Sequence, residues 1–88
     1  MKTAFAHKKT VKDLLKGVSI RFATKTYKLS YGHITFQRLP TDKGEDLMVI
    51  VIKTTFRNKV LHLPMKTFFK MFPRDNDSVW DVYYKLTA

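Results

Sequence analysis

Carboxylates and histidines are the side chains of this protein that could do acid–base or metal chemistry. Their spacing favours neither acid–base catalysis nor a metal site. His7, His33 and His62 lie far apart, and none belongs to a metal-binding spacing such as HExxH. The acidic residues cluster at 42–46 and 75–77, and solvated loop charge explains them better than a cation site. Without cysteine, the chain has no thiolate catalysis, disulfide or cysteine-based zinc site. We therefore predict that it is not an enzyme and uses no metal or other cofactor.

Basic residues are the stronger chemical signal. Seventeen Lys and Arg stand against seven Asp and Glu, a formal net charge of +10 in 88 residues. Residues 1–28 carry eight basic side chains and one acid, Asp13, so this segment supplies +7 of the total. Concentrated charge of one sign repels itself unless a partner relieves it. A solubilising surface is the alternative, but it needs only a small net charge. The charge predicts a polyanionic partner.

Cations and aromatic rings alternate at two predicted hairpin tips, near Tyr31 and near Phe56. Proteins that bind nucleic acid on a sheet combine cations for phosphates with rings that stack on bases. Each ring could equally belong to the core, so the cations carry more weight. We predict a nucleic-acid-binding site that works mainly through phosphate contacts. Its predicted members are Lys8, Lys9, Lys12, Lys16, Arg21, Lys25, Lys28, Tyr31, Arg38, Lys53, Phe56, Arg57 and Lys59.

The elements that must position these residues belong to one small domain. We predict a flexible basic arm over residues 1–9 and a single α+β domain over 10–88, because this length fits one domain only. Thr10 is a predicted N-cap, and Asp13 stands at the acidic position of a capping box. The apolar residues that follow have helical spacing, so a short N-terminal helix should begin there.

The rest of the chain predicts an antiparallel sheet of about five to six strands, with one helix (about 64–72) packed on it. Alternation predicts a strand over 18–24 and a hairpin over 26–39, with Arg21, Lys25 and Lys28 pointing outward. The apolar run 47–52 predicts a central strand buried on both faces. Aromatic and β-branched residues predict a final strand over 79–87.

One segment resembles a known kind of fold. From Val49 to Phe72 the chain has a strand, a turn with Arg57 and Lys59, a short strand, and a helix that contains Phe68. This order is similar to the four strands and helix of PC4-like and Pur-type single-strand binders, over roughly half of the chain. The predicted N-terminal helix and the final strand 79–87 depart from that order. The resemblance is one of fold, which says little about function.

The sequence therefore predicts a small basic accessory protein that binds DNA or RNA, with single-stranded or structured targets favoured. The alternative is a protein-interaction module that docks on an acidic surface of a larger enzyme complex. Strand 79–87 would serve that role, because Trp80, Tyr83 and Tyr84 cannot all lie on one face of a strand. The sequence leaves the oligomeric state open, including a homodimer.

A membrane role is disfavoured. The predicted N-terminal helix is basic but too short to bury much apolar area at a membrane surface. The sequence contains no apolar stretch of the length that a signal peptide or a transmembrane helix needs. We accordingly expect a cytoplasmic protein.

Overall fold

The computed structural model describes residues 3–88, and it has four strands and three α-helices in an α+β arrangement. The chain runs through a 3₁₀ helix (Ala6–Lys8), α1 (Val11–Gly17), β1 (Thr24–Leu29), β2 (Gly32–Leu39), β3 (Leu47–Thr54), β4 (Asn58–Pro64), α2 (Met65–Met71) and α3 (Val79–Leu86). The predicted α+β class is confirmed. The predicted count of five to six strands is wrong, because the segments 18–24 and 79–87 do not form strands.

The sheet is an antiparallel meander in the order β1-β2-β3-β4. Leu29 pairs with Gly32, Gly32 pairs with Thr54, and Lys53 pairs with Asn58. The β1–β2 turn and the β3–β4 turn therefore lie side by side, and we call this the hairpin end of the sheet. The β2–β3 loop, residues 40–46, lies at the opposite end, which we call the loop end.

The helices cover one face of the sheet. On this face the strands bury every second side chain, including Tyr27, Phe36 and Ile50, which are fully buried. Phe68 of α2 packs on Phe36, with 6.4 Å between their ring centres. Val11 and Leu14 of α1 and Val79 and Val82 of α3 complete this core. The alternate strand positions lie on the other face, which we call the open face.

The open face corrects the prediction for the central strand. Met48, Ile50 and Ile52 of β3 are fully buried, whereas Val49 and Val51 between them are only half-buried. The helices pack against one side only, so the strand 47–52 is not buried on both faces. A continuous apolar run does not reveal this, because valine also stabilises a strand on a half-exposed surface.

Residues 79–87 form helix α3 and its C-terminal cap, where a final strand was predicted. Oγ of Ser78 accepts a hydrogen bond from the Asp81 backbone N–H at 3.1 Å, and the Asp81 carboxylate accepts one from the Ser78 N–H at 3.3 Å. This capping box begins α3 and satisfies two otherwise unpaired donors. The aromatic and β-branched residues misled the prediction, because these types favour strands. The cap at Ser78 and the helical spacing of the buried residues Val79, Val82 and Leu86 are the signals it missed.

The segment 18–24 turns instead of extending. α1 ends at Gly17, and Phe22 has a φ of 68°, a left-handed conformation that bulky residues rarely adopt. The Phe22 backbone N–H donates to the carbonyl of Arg38 at 2.6 Å, and β1 begins only at Thr24. Alternation of residue types over seven positions is therefore not enough to make a strand here.

Residues 3–9 lie against the body of the protein. Ala6 is fully buried, the Lys28 N–H donates to the Ala4 carbonyl at 2.8 Å, and the Val79 N–H donates to the Lys9 carbonyl at 2.8 Å. This segment thus runs beside β1 and reaches the start of α3, where a flexible arm was expected. Met1 and Lys2 of the predicted arm lie outside the described residues.

Candidate nucleic-acid interface

A row of polar and basic side chains crosses the open face at the hairpin end. Lys28, His33, Lys53 and Asn58 occupy paired positions on the four successive strands, and all four are exposed. Nζ of Lys28 lies 5.9 Å from the ring centre of Phe5. Within residues 3–88, neither lysine of this row forms an ion pair. The fold therefore leaves two cations of this row available to an anion.

Two exposed aromatic rings stand beside this row. Tyr31 in the β1–β2 turn is 67% exposed and Phe56 in the β3–β4 turn is 82% exposed. Their rings meet edge to face at 5.8 Å, and the Thr55 N–H donates to the Tyr31 carbonyl at 2.9 Å. The sequence left open whether these rings belong to the core, and the structure places both outside it.

A cleft of about 180 Å³ opens between these turns and α3. Trp80 and Tyr83, with ring centres 5.2 Å apart, form its α3 wall. Sequence reasoning did not assign these two rings to the site, because the prediction placed them on a strand. Their separation of three residues is the signal that, on a helix, would have brought them together. The other lining residues are Leu29, Ser30, Tyr31, Thr54, Phe56 and Arg57.

Arg57 and Lys59 hold α3 at the hairpin end. Nη1 of Arg57 donates to the carbonyl of Thr87 at 2.9 Å, and Nζ of Lys59 donates to the carbonyl of Leu86 at 3.1 Å. Carbonyls at a helix C-terminus lack partners within the helix and carry partial negative charge, so cations stabilise them. These two predicted site residues therefore also have a structural role. Arg57 lines the cleft and keeps further N–H groups for a ligand.

Arg21 and Arg38 lie at the loop end, away from this site. Nε of Arg38 donates to Oδ2 of Asp46 at 2.6 Å, and Nε of Arg21 lies 3.3 Å from Oδ1 of the same carboxylate. The hydrogen bond from Arg38 is the main reason that the pKa of Asp46 is lowered. Asp46 therefore offsets part of the charge that the sequence assigned to nucleic-acid contact.

Asp46→Asn should destabilise the protein at neutral pH but not in acid. The pKa of the folded carboxyl is below its ordinary value of 3.8, so ionised Asp46 adds stability above about pH 4 that is lost as pH falls through the folded pKa. Thermal unfolding from neutral pH to about pH 2 should show the two proteins converging in acid. Asp42→Asn removes an exposed carboxylate from the same loop and should change little. If Asp46→Asn lowers the melting temperature equally at neutral pH and at about pH 2, the ion-pair role of Asp46 is contradicted.

The predicted outward orientation of Lys25 is wrong. Lys25 shares the phase of Tyr27 in β1, so it lies on the side of the helices while Lys28 lies on the open face. Its Nζ lies 3.9 Å from Oδ2 of Asp13, which also accepts a 2.6 Å hydrogen bond from the Tyr27 hydroxyl. Burial and this carboxylate raise the pKa of Tyr27. Asp13 therefore connects α1 to β1 instead of closing a capping box with Thr10, although Oγ1 of Thr10 does cap α1.

The remaining predicted cations belong to the helical layer and the segment before it. Lys12 and Lys16 are exposed on α1, and Lys8 and Lys9 are exposed just before it. The Lys12 N–H donates to the carbonyl of Asp75 at 2.9 Å, so α1 begins beside an acidic loop. The structure thus brings together Lys28, Tyr31, Lys53, Phe56, Arg57 and Lys59 at the hairpin end, and places the other predicted residues elsewhere.

Comparison of the chain with protein-family models, with curated proteins and with solved structures finds no match. The four strands followed by α2 have the strand-then-helix order noted in the sequence, here flanked by α1 and α3. Across residues 3–88 no helix has the length and apolarity to cross a membrane, and no three acidic, His or Cys side chains group as metal ligands would. An inference about function therefore rests on the geometry and charge at the hairpin end.

Proposed function

We propose that this protein binds nucleic acid at the hairpin end, mainly through phosphate contacts, and that single-stranded or structured DNA or RNA is its target. The observation that carries the proposal is the convergence of cations and rings from two separate hairpins. Lys28 and Lys53 flank His33 on the open face, and the exposed rings of Tyr31 and Phe56 stand next to them. A nucleic-acid partner agrees with the cytoplasmic location expected from the sequence.

The pairing of charges supports this site over Arg21, Arg38 and Lys25, and position separates it from Lys8, Lys9, Lys12 and Lys16, which lie on α1 or just before it. Arg21, Arg38 and Lys25 each lie within 4.0 Å of a carboxylate, whereas Lys28 and Lys53 form no ion pair in the described part of the chain. Lys28 and Lys53 lie two strands apart with His33 between them, so a phosphate can contact either lysine without displacing a carboxylate.

The helices do not favour groove reading of a duplex. α1 and α2 are seven residues each and α3 is eight, about 10 to 12 Å long, and each packs buried apolar residues into the core. A helix that reads bases must present side chains along the floor of the major groove. The open face and the hairpin tips are the surfaces left for a flexible or unpaired strand, so we favour backbone contacts over reading of base pairs.

A salt titration tests the proposal. Fluorescence anisotropy with a labelled single strand of about 20 nucleotides, and with the matching duplex, should show tight binding at low salt. With about three to five phosphate contacts, affinity for the single strand should fall about 20- to 130-fold between about 50 and 200 mM salt. DNA and RNA strands of the same sequence are compared in parallel.

Failure to bind any DNA or RNA form at low salt would overturn the proposal. The predicted docking on an acidic protein surface would then remain, and a pull-down that survives nuclease treatment would be its signature. The strand argument for that alternative no longer applies, because Trp80 and Tyr83 are half-buried on one side of α3 and Tyr84 is exposed.

A further inference from the structure

We infer that the cleft between the two hairpin tips and α3 receives a single unpaired base, so that the protein selects single strands over duplexes. This inference rests on the proposed function and specifies its target. The phosphates of the bound strand lie on the basic row of the open face. One base turns over the hairpin end and stacks on the ring of Phe56, with the rings of Tyr31 and Trp80 beside it.

The position of the cleft joins it to the basic row. Leu29 and Thr54 line the cleft and directly follow Lys28 and Lys53 in the chain. Because successive side chains of a strand point to opposite faces, the cations lie on the open face while Leu29 points to the helical side. A nucleotide at this edge can therefore place its phosphate on one side of the sheet and its base on the other.

The walls of the cleft fit a flat aromatic ligand. Four rings from three elements surround it: Tyr31, Phe56, Trp80 and Tyr83. Stacking on a ring favours bases of every type, because each base has a π-face. Phe56 has little else to stabilise it, since it is 82% exposed and contacts Tyr31 edge to face.

Charge distinguishes a nucleotide from an apolar peptide as the occupant. Among residues 3–88 no acidic side chain lines the cleft, and Arg57 contributes a guanidinium that donates through Nη1 to the Thr87 carbonyl. Guanidinium groups stack on bases and donate to their polar edges. Ser30 and Thr54 add hydroxyls to the same lining. The Thr54 hydroxyl already donates to the Arg57 carbonyl at 3.2 Å. An apolar peptide would cover the remaining guanidinium N–H groups and the Ser30 hydroxyl without pairing them.

The same geometry disfavours a duplex. A base inside a duplex is stacked on both sides, and an enzyme that reaches such a base must first take it out of the stack at a cost of a few kcal/mol. Unpaired bases avoid that cost, so single strands and loops are the natural ligands of this cleft. Selectivity for single strands then follows without any reading of sequence.

Trp80 supplies a direct readout, because it is the single tryptophan of the chain and it lines the cleft. A base that stacks beside it should quench its fluorescence. Titration with a single-stranded thymidine oligonucleotide is compared with an abasic oligonucleotide of the same length and charge. We expect quenching with the first alone, and about 5- to 150-fold weaker binding of the abasic strand.

Phe56→Ala is the matching variant, with Tyr84→Ala as its control. Both rings are exposed, at 82% and 68%, but Tyr84 lies on α3 outside the cleft. Phe56→Ala should abolish the quenching and weaken thymidine binding about 5- to 150-fold, with little effect on the abasic strand. Tyr84→Ala should bind both strands as the parent protein does, and thermal unfolding verifies that both variants fold.

Two failures are distinguishable. If neither strand binds at low salt, the proposed function itself is wrong. If both strands bind equally, with no change in Trp80 fluorescence and no effect of Phe56→Ala, the protein contacts phosphates alone and the inference about the cleft is overturned. Equal affinity for the duplex and the single strand would overturn it as well.

Discussion

Gly32→Ala is expected to destabilise the protein by about 3 kcal/mol, because the new methyl group would overlap the neighbouring strand. A Cβ at this position would lie 1.9 Å from the backbone oxygen of Lys53 and 2.6 Å from Cα of Thr54. Backbone atoms of a paired strand cannot move aside as a flexible side chain can. A loss of this size lowers the melting temperature of a domain this small by about 10 to 25 °C, measured by thermal unfolding.

Gly17→Ala is the matched control. It adds the same methyl group, but the nearest atom is Cδ of Lys25 at 2.8 Å, part of a flexible chain that can rotate away. Alanine also favours the helix that Gly17 ends, so the net change should be below about 1 kcal/mol. If Gly32→Ala melts at the same temperature as Gly17→Ala, the two hairpins are not as close as the structure places them.

Gly32 has this effect because it is the point where both hairpins meet. It pairs with Leu29 on one side and with Thr54 on the other. The row of Lys28, His33 and Lys53 begins one residue further into the strands. Any shift of β2 against β3 therefore separates the basic row and opens the cleft together.

The sequence predicts α1, α2 and the β1–β2 hairpin from local signals. α1 follows from the Thr10 cap and an apolar stripe, and α2 follows from Pro64 and the spacing of Met65 and Phe68. The β1–β2 hairpin follows from alternation over 26–39. These features depend on neighbours within a few residues, which is the range over which periodicity and capping act.

The site depends on pairing between distant segments, and the sequence does not specify it. Tyr31 and Phe56 meet only because β2 pairs with β3 in a register that places both turns at one end. Arg38 was predicted as a phosphate contact, since its partner Asp46 belongs to a loop whose carboxylates look solvated from sequence alone. The net charge of +10 predicted a partner, but only the fold separates paired from unpaired cations.

Lys28 and Lys53, which form no ion pair with any residue that the structure describes, should contribute directly to binding. Replacing Lys28 and Lys53 together by Gln should weaken binding of a single strand about 30-fold at low salt, taking about 1 kcal/mol for each lost charge contact. The slope of log affinity against log salt should become shallower by about 1.4, because two phosphate contacts are lost. Anisotropy titrations over a range of salt concentrations measure both quantities.

Lys66→Gln with Lys70→Gln is the matched double variant. It removes the same two charges from exposed positions of α2, in the layer that covers the opposite face of the sheet. If the two double variants lose the same affinity, net charge governs binding and the hairpin end is not a specific binding site. Stability separates the cases further, because Lys28 and Lys53 form no ion pair within residues 3–88 that the substitutions would remove, and lower net charge reduces self-repulsion. Removing Lys28 and Lys53 should therefore leave the melting temperature unchanged or raised, while binding falls.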